Sequence, residues 1–260
     1  MAKKTALVVN DDGIRAPGLR LMAELASTLW ETYIVTPKEE QSGTGKAISM
    51  RAISVEPYEY DPGIPAYAIG GTPADAVLLG IDHLMPKKPD IVLSGMNLGP
   101  NLGIEDYLDS GTIGAAIEAA LHKIPAVAAS LAITKQDKLK GNYGFDCARD
   151  LLRQLLTAIS SERDSVPPGE IVSLNVPHPD CRGVAATKVS ARTMDGVHIR
   201  VQGGYAIKPW DMSFYGTGEP DSDINAVVVQ KKASVSVVNL NLESRQEAAT
   251  RLAERLSLSK

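Results

Sequence analysis

The sequence of 260 residues has few of the side chains that bind zinc or build disulfide frameworks. Its two cysteines, Cys147 and Cys181, show no CxxC spacing and are too few for the scaffold of a small secreted protein. Its four histidines form no HExxH motif and no close pair, so we interpret them as surface or packing residues. The composition therefore disfavours a structural zinc site and indicates a reducing compartment.

Long apolar runs and an excess of positive charge are also missing. No apolar run reaches the roughly 20 residues of a transmembrane helix, and polar residues follow the first apolar stretch too closely for a signal peptide. The formal net charge of -4 argues against a protein that coats nucleic acid or an anionic membrane. We expect a soluble cytoplasmic protein whose partner is neither a membrane nor a nucleic-acid polymer.

Several common catalytic fingerprints are absent as well. The sequence has no Walker A motif, no GxSxG motif and no GxGxxG motif after a strand, which disfavours the usual NTPases, serine hydrolases and dinucleotide-binding enzymes. The acids Asp11 and Asp12 are adjacent, whereas an aspartyl-phosphate phosphatase usually has acids two positions apart. The remaining possibility is metal-assisted chemistry without a covalent aspartyl intermediate.

Short apolar runs alternate with amphipathic segments over most of the chain. The runs predict strands at residues 5–9, 32–35, 66–69, 91–93, 124–128 and 171–176, with an extended segment at 48–55. The amphipathic segments predict helices that begin near Pro17 and Thr72, and helices over 113–122 and 145–159. This order predicts an α/β fold with a Rossmann-like, mostly parallel sheet and flanking helices.

The C-terminal third has a different pattern. Residues 185–242 show β-type alternation, which predicts a β-rich hairpin segment used for oligomerisation, and a capping box at 244–247 predicts a closing helix to about 258. We therefore expect a single domain over 1–260, in which 1–130 form the core with the active-site loops and 185–242 form the assembly segment.

Four polar clusters each follow a predicted strand or begin a predicted helix. They are Asn10-Asp11-Asp12-Gly13, residues 41–45, residues 94–97 with Gly99, and Ser110-Gly111-Thr112. Each has an ordinary explanation by itself: an Asp-Gly turn, a flexible surface loop or a helix cap. Because ligands of open α/β sheets bind at the carboxyl ends of the strands, the four clusters together predict one site.

The chemistry of these clusters indicates a hard cation and a phosphate. Asp11, Asp12, Ser42 and Asn97 offer only oxygen donors, which suit Mg²⁺ or Mn²⁺. Gly43 lets backbone amides approach an anion, and a helix that begins at Ser110 presents its amides and its positive dipole end to a phosphate.

Motifs along nearly the whole chain resemble one family. They are residues 8–14 (VVNDDGI) with 16–18, 41–45 (QSGTG), 71–75 (GTPAD), 94–99 (SGMNLG) with 101–103, 110–116 (SGTIGAA), 175–177 (NVP), and 217–226 with Ser222-Asp223 where the family commonly has Thr-Asp. In this ordered set the chain resembles the SurE family of metal-dependent nucleotidases. Lys46 and Asp109 depart from the residues that many relatives have.

The resemblance implies a fold, an activity and a set of site residues. It implies a Rossmann-like core, a β-rich C-terminal segment that forms a homodimer or a homotetramer, and hydrolysis of nucleoside 5′- and 3′-monophosphates with one Mg²⁺ or Mn²⁺ per subunit. Asp11, Asp12, Ser42 and Asn97 would bind the metal, and Asp11, Asp12 and Asn97 would be catalytic. The phosphate would contact Asn10, Ser42, Gly43, Ser110, Gly111 and Thr112.

Two other hypotheses stay open at this point. In one, the loops bind metal and nucleotide without catalysis, as a regulatory module. In the other, the acidic loops are structural and the C-terminal half is an assembly platform. No histidine lies within the four clusters, so the sequence names no general acid.

Overall fold

The computed structural model describes residues 3–60, 63–141, 143–162, 166–194, 196–208, 211–241 and 246–255. Within these ranges the chain forms a nine-stranded sheet in the order β3-β4-β2-β1-β5-β6-β7-β11-β8 and a two-stranded ribbon of β9 and β10. The strands are β1 (Thr5–Val9), β2 (Glu31–Pro37), β3 (Val55–Tyr60), β4 (Ile64–Ile69), β5 (Ile91–Leu98), β6 (Ala126–Ala132), β7 (Glu170–Pro177), β8 (Val184–Ala186), β9 (His198–Val201), β10 (Gly204–Ile207) and β11 (Ala233–Asn239).

The central strands of the sheet are parallel and buried on both faces. The strands β4, β2, β1, β5, β6 and β7 pair in parallel, while β3 and β11 run antiparallel to their inner neighbours. Every residue of β1 and β6 is buried, which explains their apolar sequences. This confirms the predicted Rossmann-like α/β class.

Helices cover both faces of the sheet. They are α1 (Pro17–Leu29), α2 (Pro73–Leu79), α3 (Gly103–Asp109), α4 (Gly111–Leu121), α5 (Lys135–Leu139), α6 (Asp146–Ser161) and α7 (Gln246–Arg255). One apolar core lies under α1 and α6, and a second lies under α2 and α4. Local signals predicted three of the helix starts: Pro17 is the first residue of α1, Thr72 and Asp75 form a capping box at α2, and Ser110 caps α4.

The order of the strands places the site. From β1 the chain moves to β2 and then to β4 on one side, and it returns to β5 on the other side of β1. The carboxyl ends of β1 and β5 therefore flank the point where the strand order reverses, and a crevice opens there in folds of this type.

Two predictions about local structure were wrong. Residues 94–97 lie inside β5 rather than in a loop, because a β-bulge between Gly95 and Asn97 continues the pairing with β6. Gly95 has φ +117°, and a Cβ there would lie 2.3 Å from the carbonyl oxygen of Ala129. The extended segment expected at 48–55 becomes a strand only from Val55. The amide and the hydroxyl of Ser49 donate hydrogen bonds to the Asp75 carboxylate, so this amide does not pair with a neighbouring strand.

The segment 185–242 divides between the main sheet and a separate ribbon. The strands β8 and β11 extend the nine-stranded sheet, while β9 and β10 form the ribbon, where Tyr205 and Ile207 are exposed. The first two residues of the predicted capping box and the predicted end of the closing helix lie outside the described residues. The oligomerisation role and the domain division remain predictions. In the described ranges, no helix is both long enough and apolar enough to cross a bilayer.

Candidate active site

A cavity of about 520 Å³ opens at the carboxyl ends of β1 and β5. Residues from all four polar clusters line it, namely Asp11, Ser42, Gly43, Asn97 with Gly99, and Ser110. The fold thus brings together side chains that are spread over 100 positions of sequence.

Asp11 is buried against the start of α4. Its Oδ1 accepts a hydrogen bond of 2.6 Å from the Thr112 hydroxyl, and its Oδ2 accepts one of 3.2 Å from the Thr112 amide. Gly111 allows this approach, because a Cβ there would lie 2.8 Å from the Cβ of Asp11. Burial raises the pKa of Asp11 to about 6, and the neighbouring charge of Asp12 adds to the rise. The charged form of Asp11 is therefore less favourable here than in water, mainly because the carboxyl is dehydrated.

Asp12 links the end of β1 to two other elements. Its Oδ2 accepts a hydrogen bond of 2.9 Å from the amide of Leu98 at the end of β5. Its Oδ1 lies 2.6 Å from the ammonium nitrogen of Lys138 on α5. The carboxylate is thus held between a backbone donor and a cation.

The two neutral oxygen donors are also oriented by hydrogen bonds. The Nδ2 of Asn97 donates to the carbonyl of Gly99 over 2.9 Å, so its Oδ1 is the atom available to a ligand. The hydroxyl of Ser42 donates to Glu40 over 2.8 Å and keeps its lone pairs for a cation.

Four of the expected site residues, Asn10, Asp12, Gly111 and Thr112, are not among those that line the cavity. Asn10 and Thr112, which were expected to contact phosphate, are 0% exposed. Asn10 donates from its amide group to the Gly13 carbonyl and accepts from the Thr36 hydroxyl over 2.6 Å, so it braces the loop that carries the two acids. Thr112 also has a structural role, because its hydroxyl donates a hydrogen bond to the buried carboxylate of Asp11.

The donor set fits Mg²⁺ or Mn²⁺. Two carboxylates, one hydroxyl and one amide oxygen are hard ligands, and such a partial shell suits an ion that keeps waters or a phosphate as its other ligands. Among the described residues, no group of three or more His, Cys, Asp or Glu side chains is placed to hold a metal ion.

Charged residues outside the four polar clusters complete the cavity wall. Glu40, Asp106, Asp109 and Lys138 line it together with several apolar side chains, and of these four only Asp109 was noted in the sequence, as a departure from the family pattern. Lys138 is 126 positions from Asp12 and belongs to a helix of five residues, so no periodic pattern or motif spacing could have identified it.

The comparisons with known proteins agree with this geometry. The family model described as "Survival protein SurE" matches residues 6–196. A 5′-nucleotidase SurE of Methanothermobacter thermautotrophicus is 39% identical over 199 residues, which cover 75% of this chain and 76% of that protein. A 5′-nucleotidase SurE of Desulforudis audaxviator is 37% identical over 246 residues, or 91% of each chain.

A solved structure agrees over almost the whole length. The crystal structure of the SurE protein from Aquifex aeolicus superposes with a TM-score of 0.74 at 26% identity, and the match covers 97% of this chain and 100% of that one. The family model and the long matches at well over 30% identity place the sequence without ambiguity, and this chain belongs to the SurE family.

Proposed function

We propose that this protein is a 5′-nucleotidase that hydrolyses nucleoside monophosphates to nucleoside and phosphate with the help of a divalent cation. The observation that carries the proposal is that Asp11 and Asn97 line one cavity between β1 and β5, next to the amino end of α4, while Asp12 is tied to the end of β5 by the Leu98 amide. The relatives named 5′-nucleotidase support the activity.

The cation is Mg²⁺ or Mn²⁺, held by Asp11, Asp12, Ser42 and Asn97, one ion per subunit. Such an ion neutralises charge on a phosphoryl group and lowers the pKa of the water that attacks it. The chain's own contribution is to fix the ligands: Thr112 holds Asp11 and the Leu98 amide holds Asp12. Asp11, Asp12 and Asn97 are the catalytic residues of this proposal.

Backbone amides bind the phosphate oxygens in the same proposal. The start of α4 at Ser110 and Gly111 and the glycine-containing loop at Ser42 and Gly43 supply fixed N–H donors, which stabilise charge as it develops on the phosphoryl group. Asn10 and Thr112 act behind these donors, as positioning residues.

The outer part of the cavity takes the nucleoside. Its wall includes Ile133, Leu139, Val197 and Ile207, and a volume of about 520 Å³ is within the range of small-molecule pockets. Both 5′- and 3′-monophosphates are proposed substrates.

Assembly and location are further parts of the proposal. We propose a homodimer, with a homotetramer as its further assembly, formed through the segment 185–242. The exposed Tyr205 of the β9–β10 ribbon supports an interface there, while Ile207 of the same ribbon lines the cavity. The thiols of Cys147 and Cys181 are not joined in a disulfide, which suits the proposed cytoplasmic location.

Phosphate release from a panel of nucleoside 5′- and 3′-monophosphates tests the activity. We expect release that EDTA abolishes and that added Mg²⁺ or Mn²⁺ restores. No release from any substrate with any metal would instead support a non-catalytic module that binds metal and nucleotide.

A further inference from the structure

Lys138 is the residue whose position the proposed reaction does not yet explain. It lies on α5, the short helix that follows β6, and its side chain is 32% exposed at the cavity wall. Its ammonium nitrogen is 2.6 Å from Oδ1 of Asp12 and 3.7 Å from Oε1 of Glu40. Lys138 therefore contacts the Oδ1 atom of Asp12, which is one of the proposed metal ligands.

We propose that Lys138 binds the phosphate of the substrate and changes partners during the reaction cycle. It pairs with Asp12 before a divalent cation binds, and it donates to a non-bridging phosphate oxygen once cation and substrate are present. The inference rests on the proposed function, since it assigns one more substrate contact to the same site.

Electrostatics at Asp12 favour the exchange. One oxygen of Asp12 accepts from the Leu98 amide and the other contacts Lys138, so a cation held by this carboxylate would lie close to the ammonium. Two positive charges against one carboxylate repel each other at close range in a partly buried site. A bound cation would therefore weaken the pair between Lys138 and Asp12.

The displaced ammonium has one strong new partner within the cavity. A lysine carries its charge on a flexible four-carbon stem, so the nitrogen can move several ångströms while α5 stays in place. Glu40 is 58% exposed and 3.7 Å away, which makes it a weak competitor. Asp11, another acid whose charge acts on Lys138, already accepts from Thr112 and is itself a proposed ligand of the cation. A phosphate monoester is close to doubly charged at neutral pH and attracts the ammonium more strongly.

A purely structural role for the Lys138–Asp12 pair makes different predictions. In that case the pair would only attach α5 to the end of β1, and its loss would lower thermal stability without altering ligand binding. The exchange instead predicts that removing the charge of Lys138 raises the affinity for the metal ion and lowers the affinity for phosphate.

Three variants test the exchange. Lys138→Met removes the charge and keeps most of the stem, Lys138→Gln is uncharged but polar, and Lys138→Arg keeps the charge. Lys140→Met is the matched control, because Lys140 is an exposed lysine immediately after the same helix. Circular dichroism and thermal melting verify that each variant is folded.

The first experiment measures the Kd for Mn²⁺ without nucleotide, and the electron paramagnetic resonance signal of free Mn²⁺ monitors the binding. We expect Lys138→Met and Lys138→Gln to bind Mn²⁺ about tenfold more tightly, since one charge-assisted contact no longer competes. Lys138→Arg and Lys140→Met keep the affinity of the natural sequence. Unchanged or weaker Mn²⁺ binding in both uncharged variants would overturn the exchange.

The second experiment measures two constants: the Kd for inorganic phosphate at saturating Mn²⁺, and the KM for a nucleoside monophosphate. Both the Kd and the KM should rise about tenfold in the uncharged variants. Unchanged phosphate binding would overturn the phosphate contact even if Mn²⁺ binding improves. If the natural sequence releases no phosphate at all, the proposed function fails, yet the Mn²⁺ and phosphate constants still decide the role of Lys138.

Discussion

Two acidic clusters of this protein differ in what their carboxylates contact. Asp11 lines the cavity and is held by Thr112, and Asp12 beside it faces the ammonium of Lys138. Asp106 also lines the cavity, but Asp106 and Asp223 accept their hydrogen bonds mainly from backbone amides, with one more from the Tyr215 hydroxyl.

The difference shows which acids can act on a ligand. Asp223 accepts hydrogen bonds from the amides of Gly103, Ser190 and Ile224, so it joins the start of α3 to two segments of the C-terminal third. These donors cannot leave without local unfolding. Asp12 keeps one fixed donor and one mobile cation, and a mobile partner can be replaced by another cation. The first cluster is suited to function and the second to stability.

The largest effect on activity is expected for Asp12→Asn. The variant loses one charge of the proposed metal site but keeps the shape of the side chain, so kcat/KM should fall at least about 100-fold. The melting temperature should fall by only a few degrees, because an asparagine keeps an oxygen for the Leu98 amide and loses only the pair with the partly exposed Lys138. Steady-state kinetics at several Mn²⁺ concentrations and a melting curve measure both effects, and unchanged kinetics would exclude Asp12 from the metal site.

The reciprocal change is Asp223→Asn. An asparagine keeps one acceptor oxygen, so its NH₂ group faces the amide of Gly103 and leaves that donor unpaired. The cost is about 2–3 kcal/mol, which lowers the melting temperature by roughly 5–10 °C. At temperatures well below the melting temperature, kcat/KM per folded molecule should change less than about threefold, because Asp223 is not one of the proposed site residues. A loss as large as that of Asp12→Asn, with the fold intact, would remove the distinction between the clusters.

Thr112→Val tests how the first cluster is supported. Valine has nearly the shape of threonine but cannot donate to Asp11, whose carboxylate then loses its 2.6 Å hydrogen bond. Loss of such a supporting contact should weaken Mn²⁺ binding about tenfold. Thr112→Ser keeps the hydroxyl and serves as the control. Equal Mn²⁺ affinity for the valine and serine variants would show that the hydroxyl does not position Asp11.

The sequence predicted the parts of this site that depend on local patterns. The apolar run of β1 followed directly by two acids, and the capping serine of α4, were sufficient to place Asp11 and Ser110 at one edge of a parallel sheet. The bulge around Gly95 depends on the neighbouring strand β6, so the strand identity of Asn97 was not predictable. The burial of Asn10 and the contact of Lys138 depend on residues far away in sequence.

The second cluster also has a pH-dependent stability, through Asp106, a carboxylate that lines the cavity but is not one of the proposed metal ligands. Burial raises the pKa of Asp106 to about 7, with added repulsion from Asp109 and Asp223, although the Tyr215 hydroxyl and the Leu102 amide stabilise the charged form. The folded protein thus binds this proton more tightly than the unfolded chain, where the pKa is near 3.8. Stability from this group is present below about pH 4 and decreases as the pH rises towards 7.

Asp106→Asn removes this dependence, because asparagine resembles the protonated acid at every pH. The variant should melt above the natural protein, and this difference should grow by several degrees between pH 5 and pH 8. Asp75→Asn is the control with the other sign: burial alone would raise the pKa of Asp75, but hydrogen bonds from Ser49 and Thr72 lower it. Asp75 is ionised in both states from pH 5 to 8, so its replacement should lower the melting temperature by the same amount at both values. If Asp106→Asn shows an equally constant difference, Asp106 is charged in the folded protein across this range, and the two clusters differ in geometry alone.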